Sequence, residues 1–311
     1  MKTNKLNWLS YITCFGMVLV LLNGALVTKT GSGQGCGSDW TIWLCNGKFV
    51  PAKTIESLIE YSHRAVSGIV GILVLVLFIL VWKYVKERKD TLWYASIALF
   101  FTYVQAVMGA LAVVKGQVPA VMALHYGFSL LAFAGTLMLS IALYRRSKGL
   151  TVPPRTLPAV SKRFRNSVWL VAIYSYIVVY VGAFVRHTES WGGCQGWPLC
   201  NGEVIPTLHG STLIAFLHRV AALLLLIVVA VMAHFAYHRH KHVREIRIAG
   251  VWALVLCASQ VLSGAWLVLS MHNENAHLYA SLLHTVLVSG LFGVLCYLSA
   301  RVLLLGKGES R

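Results

Sequence analysis

Apolar residues are grouped along the chain into eight long runs that short polar segments separate. Each run reaches the roughly 20 residues that an α-helix needs to cross the hydrocarbon core of a bilayer. The runs lie at 8–28, 57–82, 92–114, 120–143, 167–186, 211–237, 248–270 and 277–300. The first is too long for a signal-peptide core and lacks a clear cleavage site, so we interpret it as a retained helix. The pattern predicts an all-α integral membrane protein with eight transmembrane helices.

The distribution of charge sets the orientation of these helices. The formal net charge of +17 would suit a nucleic-acid partner, but the basic residues are concentrated in alternate loops. The opposite loops contain only Lys29, Lys48, Lys53, Lys115 and Arg186. Because basic loops stay on the cytoplasmic side, we expect both termini in the cytoplasm. The charge is therefore explained by membrane topology, and we expect the lipid bilayer, not a nucleic acid, as the partner.

The sequence contains one unit twice. A shift of 155 residues superimposes several identical residues, and loop insertions change the shift to 158 near the start and 159 near the end. The equivalent pairs are Gly24/Gly182, Cys36/Cys194, Cys45/Cys200, His63/His218, Gln105/Gln260, Gly109/Gly264 and His125/His284. We predict an N-terminal half at 1–145, a linker at 146–164 and a C-terminal half at 165–311. Four helices per half give both halves the same orientation, so we expect two tandem four-helix bundles related by a pseudo-twofold axis normal to the membrane.

Four histidines lie inside predicted spans at similar depth: His63, His125, His218 and His284. An ionisable residue inside a membrane is costly and is by default a functional candidate. Two histidines per half are too few for zinc, which takes three or four protein ligands, but they suffice as axial ligands of haem iron. The alternative is a set of buried histidines that form hydrogen bonds across helices. His277, seven residues before His284 on nearly the same face, is an alternative ligand.

Next to these histidines, the two halves share an arginine and differ in an acid. Arg64 and Arg219 directly follow His63 and His218, and each guanidinium could pair with haem propionates or reach lipid head groups. Glu60 lies three residues before His63 on the same helix face, whereas Ala215 occupies the equivalent position. A carboxylate there could handle protons or stabilise developing positive charge; alternatively, it faces water or Arg64.

Four of the seven cysteines repeat as two pairs in the long external loops: Cys36 with Cys45, and Cys194 with Cys200. The external side is the oxidising one, where disulfides persist. Each pair could close its loop into a lid over a histidine site, or could pass electrons through a labile disulfide.

Taken together, the tandem halves, the Glu60-x-x-His63-Arg64 motif and the two cysteine pairs resemble the haem A synthase family, in the bacterial form with a cysteine pair in each half. The resemblance covers essentially the whole chain. It implies a membrane oxidoreductase that converts haem O to haem A by oxidising a methyl group, through an alcohol and a gem-diol, to a formyl group. The product is destined for cytochrome oxidase.

The same resemblance implies a role for each residue. The N-terminal half would bind haem O through His63 and His125, with Glu60 as the catalytic residue, and the C-terminal half would hold haem b through His218 and His284. Disulfides would join Cys36 to Cys45 and Cys194 to Cys200. Haem O synthase is the expected partner, together with an electron donor or acceptor that the sequence does not identify.

Other classes of protein make different predictions. A non-catalytic di-haem b electron carrier would need equal ligand sets in both halves, which the Glu60/Ala215 difference argues against. A membrane thiol–disulfide oxidoreductase would depend on the cysteines instead of the histidines. A haem transporter would be expected to have broken helices, and no proline lies inside the eight runs away from their edges.

Overall fold

The computed structural model describes residues 3–37, 44–85, 87–150 and 160–306. Within these ranges the chain forms eight long α-helices, and a short 3₁₀ helix at Ser190–Gly193 follows the fifth. The α-helices are α1 (Thr3–Lys29), α2 (Ile55–Val85), α3 (Lys89–Lys115), α4 (Pro119–Ser147), α5 (Lys162–His187), α6 (Gly210–His238), α7 (Arg244–Leu269) and α8 (Glu274–Gly306). Each is long and apolar enough to cross a membrane, which confirms the predicted all-α membrane fold.

Most helices extend a few residues beyond the apolar runs that predicted them. For example, α2 begins at Ile55 and ends at Val85, while its run covers 57–82. Backbone hydrogen bonding continues past the hydrocarbon core because polar side chains at the helix ends are solvated in the interfacial region.

The chain divides into two compact units, Met1–Thr151 and Val152–Arg311. This division falls inside the predicted linker 146–164, of which residues 151–159 lie outside the described residues. The pseudo-twofold axis between the halves stays a prediction.

In the first unit, the four helices pack as a ring. Helix α1 contacts α2 and α4, and α3 contacts the same two helices, so α2 and α4 lie diagonally opposite each other. Apolar side chains close the end of the bundle that contains the N-terminus, where Leu6, Leu77, Val81 and Leu139 are buried. In a membrane such packing is driven by close van der Waals contact. The histidines His63 and His125 lie toward the opposite end of this unit, near the starts of α2 and α4.

The second unit has the same arrangement. Helix α5 contacts α6 and α8, and α7 contacts these two helices, so α6 and α8 are the diagonal pair. Val168, Val229, Ile246 and Leu298 are buried in a core within the four helices. Helices α6 and α7 approach closely at Gly250, where a Cβ atom would lie 2.7 Å from the Cβ of Ala236. Small residues at such a crossing let two membrane helices pack tightly.

Candidate haem-binding sites

The four predicted ligand histidines lie on the diagonal helices of each unit. In the first unit these are His63 on α2 and His125 on α4, and in the second they are His218 on α6 and His284 on α8. Each histidine comes six to ten residues after its helix begins, which is about 9–15 Å along the helix axis. The structure therefore places each predicted pair on diagonal helices of one unit, and the pairing as iron ligands stays a prediction.

The two histidines of a pair also belong to the same end of their unit. In the first unit, the Gln117 side chain before α4 donates a hydrogen bond of 3.1 Å to the carbonyl of Gly33, in the loop before α2. In the second unit, the rings of Trp191 and His277 lie 5.3 Å apart, which joins the loop before α6 to the start of α8. The cysteine loops and the histidines consequently share one end in both units.

Each of the four imidazole rings packs against a glycine on the preceding helix. A Cβ atom built on the glycine would lie 2.7–3.5 Å from the Cε1 atom of the ring. The pairs are Gly24 with His63, Gly109 with His125, Gly182 with His218, and Gly264 with His284. The sequence repeat identifies these glycines as equivalent, but the sequence did not predict their function. Their missing side chains make room for the rings.

Three of the histidines have a buried ring nitrogen with no hydrogen-bond partner. The Nδ1 atoms of His63, His125 and His218 are all of this kind, whereas Nδ1 of His284 lies 2.8 Å from the hydroxyl oxygen of Ser263. Buried polar atoms without partners are rare in folded proteins. A set of histidines satisfied by hydrogen bonds across helices, the alternative considered above, does not describe these three. The pairs do fit an iron centre that needs two axial imidazoles.

No larger metal centre competes with this interpretation. Among the described residues, no three His, Cys, Asp or Glu side chains converge on a point where a metal ion could bind. His277 packs at the rim of the second unit, where its ring contacts Trp191 and its Nδ1 lies 2.9 Å from the carbonyl oxygen of Leu267. This contact gives His277 a structural role between α8 and α7.

Glu60 is buried and fully paired. Only 3% of the Glu60 surface is exposed. One carboxylate oxygen accepts a hydrogen bond of 2.7 Å from the backbone N–H of Cys36. The other accepts bonds of 3.0 and 2.5 Å from the Arg64 guanidinium. The acid thus faces Arg64, as one alternative expected, but it lies beneath the first cysteine loop instead of facing water.

Both predicted disulfides are present, Cys36–Cys45 and Cys194–Cys200. Starting at the second cysteine of each pair, a Cys-Asn-Gly turn reverses the chain, and the asparagine (Asn46 or Asn201) adopts a left-handed conformation. Asparagine tolerates that conformation better than other residues with a side chain. The turns at 45–48 and 200–203 therefore have the same backbone arrangement.

Each cysteine loop lies directly on the first turn of the following helix. A Cβ atom on Gly35 would come within 2.4 Å of the Glu56 backbone, and one on Gly193 within 2.5 Å of the Ser211 backbone. The hydroxyl of Ser57 donates a hydrogen bond of 2.5 Å to the carbonyl of Gly35. Such contacts hold the residue before the first cysteine of each pair against the start of the following helix, and the choice between a lid and a redox role stays a prediction.

The arginines after the histidines hold these loops in place. Arg219 donates to the carbonyl oxygen of Cys194 and, at 3.1 Å, to that of Leu199. Arg64 donates at 3.4 Å to the carbonyl oxygen of Leu44 in addition to its ion pair with Glu60. Where Ala215 replaces the acid, the guanidinium turns to the backbone. Sequence reasoning missed this role, since it depends on loop carbonyls that only the fold brings near.

Comparison with known proteins agrees with this geometry. A model of the COX15-CtaA family, described as cytochrome oxidase assembly protein, matches residues 52–296. The chain belongs to this family. It is 38% identical over 296 residues to a protein of Alkalihalophilus pseudofirmus, covering 95% of this chain and 96% of the relative. It is 42% identical to a protein of Bacillus mycoides, over 94% and 92% of the two chains. A protein of Shouchella clausii is 40% identical, over 93% and 94%. All three relatives are named "Heme A synthase".

Proposed function

We propose that this chain is a haem A synthase, a membrane oxidoreductase that converts the methyl group of haem O to the formyl group of haem A. The reaction would pass through an alcohol and a gem-diol that loses water. Relatives of that name match nearly the full length of the chain. The observation that carries the proposal is the buried Glu60 beside one histidine pair, at a position that is Ala215 beside the other.

In this proposal the first unit binds the substrate. His63 and His125 would hold the iron of haem O, and Glu60, three residues from His63, would lie beside the porphyrin. The second unit would hold haem b through His218 and His284, with no acid at the corresponding position. A resident haem with two histidine ligands supplies electron transfer when it is bound.

Glu60 is suited to manage charge at the substrate carbon. Its contacts with Cys36 and Arg64 fix the carboxylate in a single orientation beneath the loop. From there it would accept the proton released when a C–H bond of the methyl group breaks, or offset positive charge that develops at that carbon. Both tasks require a negatively charged group held in place before the reaction begins.

Arg64 and Arg219 would donate hydrogen bonds to the haem propionates as well as to the loop carbonyls. Each guanidinium has five N–H donors in a fork that matches a carboxylate. In this view the propionates lie under the cysteine loops, and both haem sites are near the outer face of the cell membrane. With both termini in the cytoplasm, haem O synthase would deliver the substrate within the bilayer. The electron partner would act from either the membrane or the outer side.

The main competitor is a di-haem b electron carrier, which the equal histidine pairs by themselves would also suit. A thiol–disulfide oxidoreductase is the second competitor, and it would use Cys36–Cys45 or Cys194–Cys200 as its reactive group. The three activities differ in their products, and one assay therefore separates them.

The deciding experiment follows the pigment in membranes that contain haem O and this protein. We expect haem A to accumulate with the parent protein, and we expect Glu60→Ala to stop its formation while haem b stays bound. Glu56→Ala is the matched control, because Glu56 lies one turn earlier on α2 and is exposed. Extraction and chromatography measure the haems. Unchanged haem A formation by Glu60→Ala would remove the catalytic role of Glu60, and a parent protein that makes no haem A would favour the carrier.

A further inference from the structure

We infer that Ser263 is a positioning residue that fixes the protonation and orientation of His284, and that it thereby distinguishes a resident haem site from an exchangeable one. The inference rests on the proposed function, since it takes His284 as an axial ligand. Ser263 lies on α7 and is 4% exposed. Its hydroxyl oxygen is 2.8 Å from Nδ1 of His284.

The hydrogen bonds around Ser263 determine which ring nitrogen bears the proton. A serine hydroxyl has one hydrogen to donate and lone pairs to accept. The Ser263 hydroxyl donates to the backbone carbonyl of Gln260 at 2.9 Å, and a carbonyl can only accept. We assign the hydroxyl hydrogen to this carbonyl, so that in our inference the contact with His284 runs from the ring N–H at Nδ1 to the serine oxygen. Nε2 of His284 is left with its lone pair free, which is the form that ligates iron.

A second contact sets the position of the same ring. Gly264, the next residue on α7, lies against Cε1 of His284, where a Cβ atom would be 3.5 Å away. The serine and the glycine thus hold two neighbouring atoms of one imidazole from the same helix. The free rotation of the ring about its last side-chain bond is removed before any iron arrives.

The first unit has the same glycine contact but lacks the serine. Gly109 is the equivalent of Gly264, so Met108 occupies the position of Ser263. His125 accordingly has a buried Nδ1 with no hydrogen-bond partner. A serine is present nearby, but the Ser129 hydroxyl lies within hydrogen-bond distance of the side-chain oxygen of Gln105 and of the His125 backbone carbonyl.

The difference suits the proposed roles of the two units. A partner that accepts the Nδ1 proton makes an imidazole a stronger iron ligand and favours the ferric state. Such a ligand binds a resident haem more tightly. A substrate that must leave after oxidation does not need tight binding, and His125, which has no serine at Nδ1, would release its product more readily.

The test uses the full-length protein purified with its haem. The variants are Ser263→Ala, Ser263→Cys and Ser263→Thr, with Ser289→Ala as the control, because Ser289 is a buried serine on α8 whose hydroxyl bonds only its own helix. Optical redox titration gives the midpoint potential of haem b, and haem transfer to apo-myoglobin gives its affinity. We expect Ser263→Ala to shift the potential to more positive values and to weaken haem binding about tenfold. Cysteine should give a smaller shift in the same direction, and threonine should restore the parent values.

The outcomes separate the inference from the proposed function. Unchanged potential and affinity in both Ser263→Ala and Ser263→Cys would overturn the role of Ser263, as would an equal shift in Ser289→Ala. His284→Ala is measured in parallel, and we expect it to lose the six-coordinate low-spin haem spectrum. If His284→Ala kept that spectrum, the haem b assignment itself would be wrong, whatever the Ser263 variants did.

Discussion

Gly182 decides where the His218 ring can lie. A Cβ atom at this position would be 2.7 Å from Cε1 of the ring, nearer than at the other three glycine–histidine pairs. Carbon atoms in proteins pack at about 3.5–4.0 Å, so even one methyl group forces the imidazole to move. A ligand ring held within a fraction of an ångström tolerates little movement of this kind.

This contact predicts the result of a single methyl substitution. We expect Gly182→Ala to displace His218 and to reduce haem b bound per protein at least several-fold, with a broadened low-spin spectrum. Gly290→Ala is the matched control, since it also adds a methyl group inside a helix of the second unit but meets only Leu256 at 3.7 Å. Absorption spectra of the purified variants would measure both. Normal haem b content in Gly182→Ala would show that the ring is free to shift.

Among the secondary-structure elements, the segment that enters each disulfide loop packs against the helix that follows it. The 3₁₀ helix at Ser190–Gly193 packs on α6, and Gly193 lies directly against the backbone of its first turn. In the first unit the equivalent loop delivers the N–H of Cys36 to Glu60. The first disulfide loop therefore orients Glu60, the proposed catalytic acid.

Two adjacent glycines offer a test of this docking. We expect Gly193→Ala to lift the loop from α6, at a cost of about 1–3 kcal/mol for overpacking, and to lower the thermal unfolding temperature and the retention of haem b. Gly192→Ala should have neither effect, because its Cβ would meet no atom within 4 Å. Thermal melts followed at the haem absorption band compare the pair. Equal melting temperatures would mean that the loop rearranges at no cost.

For the molecule as a whole, the charges of the polar loops predict how the chain crosses the bilayer. The basic segments after α2, α4 and α6 all fall on one side of the alternating helices. The positive-inside rule predicts that this side is cytoplasmic, which would place the cysteine loops on the oxidising side, where disulfides such as Cys36–Cys45 and Cys194–Cys200 persist.

Cysteine labelling in whole cells checks the predicted orientation. Lys115 ends α3 and Lys148 follows α4, and both side chains are exposed. We expect an impermeant maleimide to label Lys115→Cys in intact cells and Lys148→Cys only after the membrane is opened. The parent protein is the control for its own free cysteines Cys14, Cys257 and Cys296. The reverse pattern would invert the topology and place the histidine sites on the cytoplasmic side.

Much of this protein could be predicted from local features of the sequence. Helix number followed from the length of the apolar runs, because the bilayer sets the length of a spanning helix. The repeat identified His63, His125, His218 and His284 as two equivalent pairs, and the disulfides followed from a family resemblance. The role of Ser263 could not be found in this way, since a serine in an apolar helix has no distinctive pattern.

Membrane solvation and internal duplication depend on residue order alone, so the spans, their expected orientation and the repeated histidines could be predicted without a structure. Which atoms touch depends on how the helices pack, and it became known from the fold. Packing placed a glycine behind each imidazole, the Cys36 N–H on Glu60, and the Ser263 hydroxyl on one ring of four. The reason is geometric: these contacts join helices and loops distant in sequence, and displacements below an ångström decide whether they form.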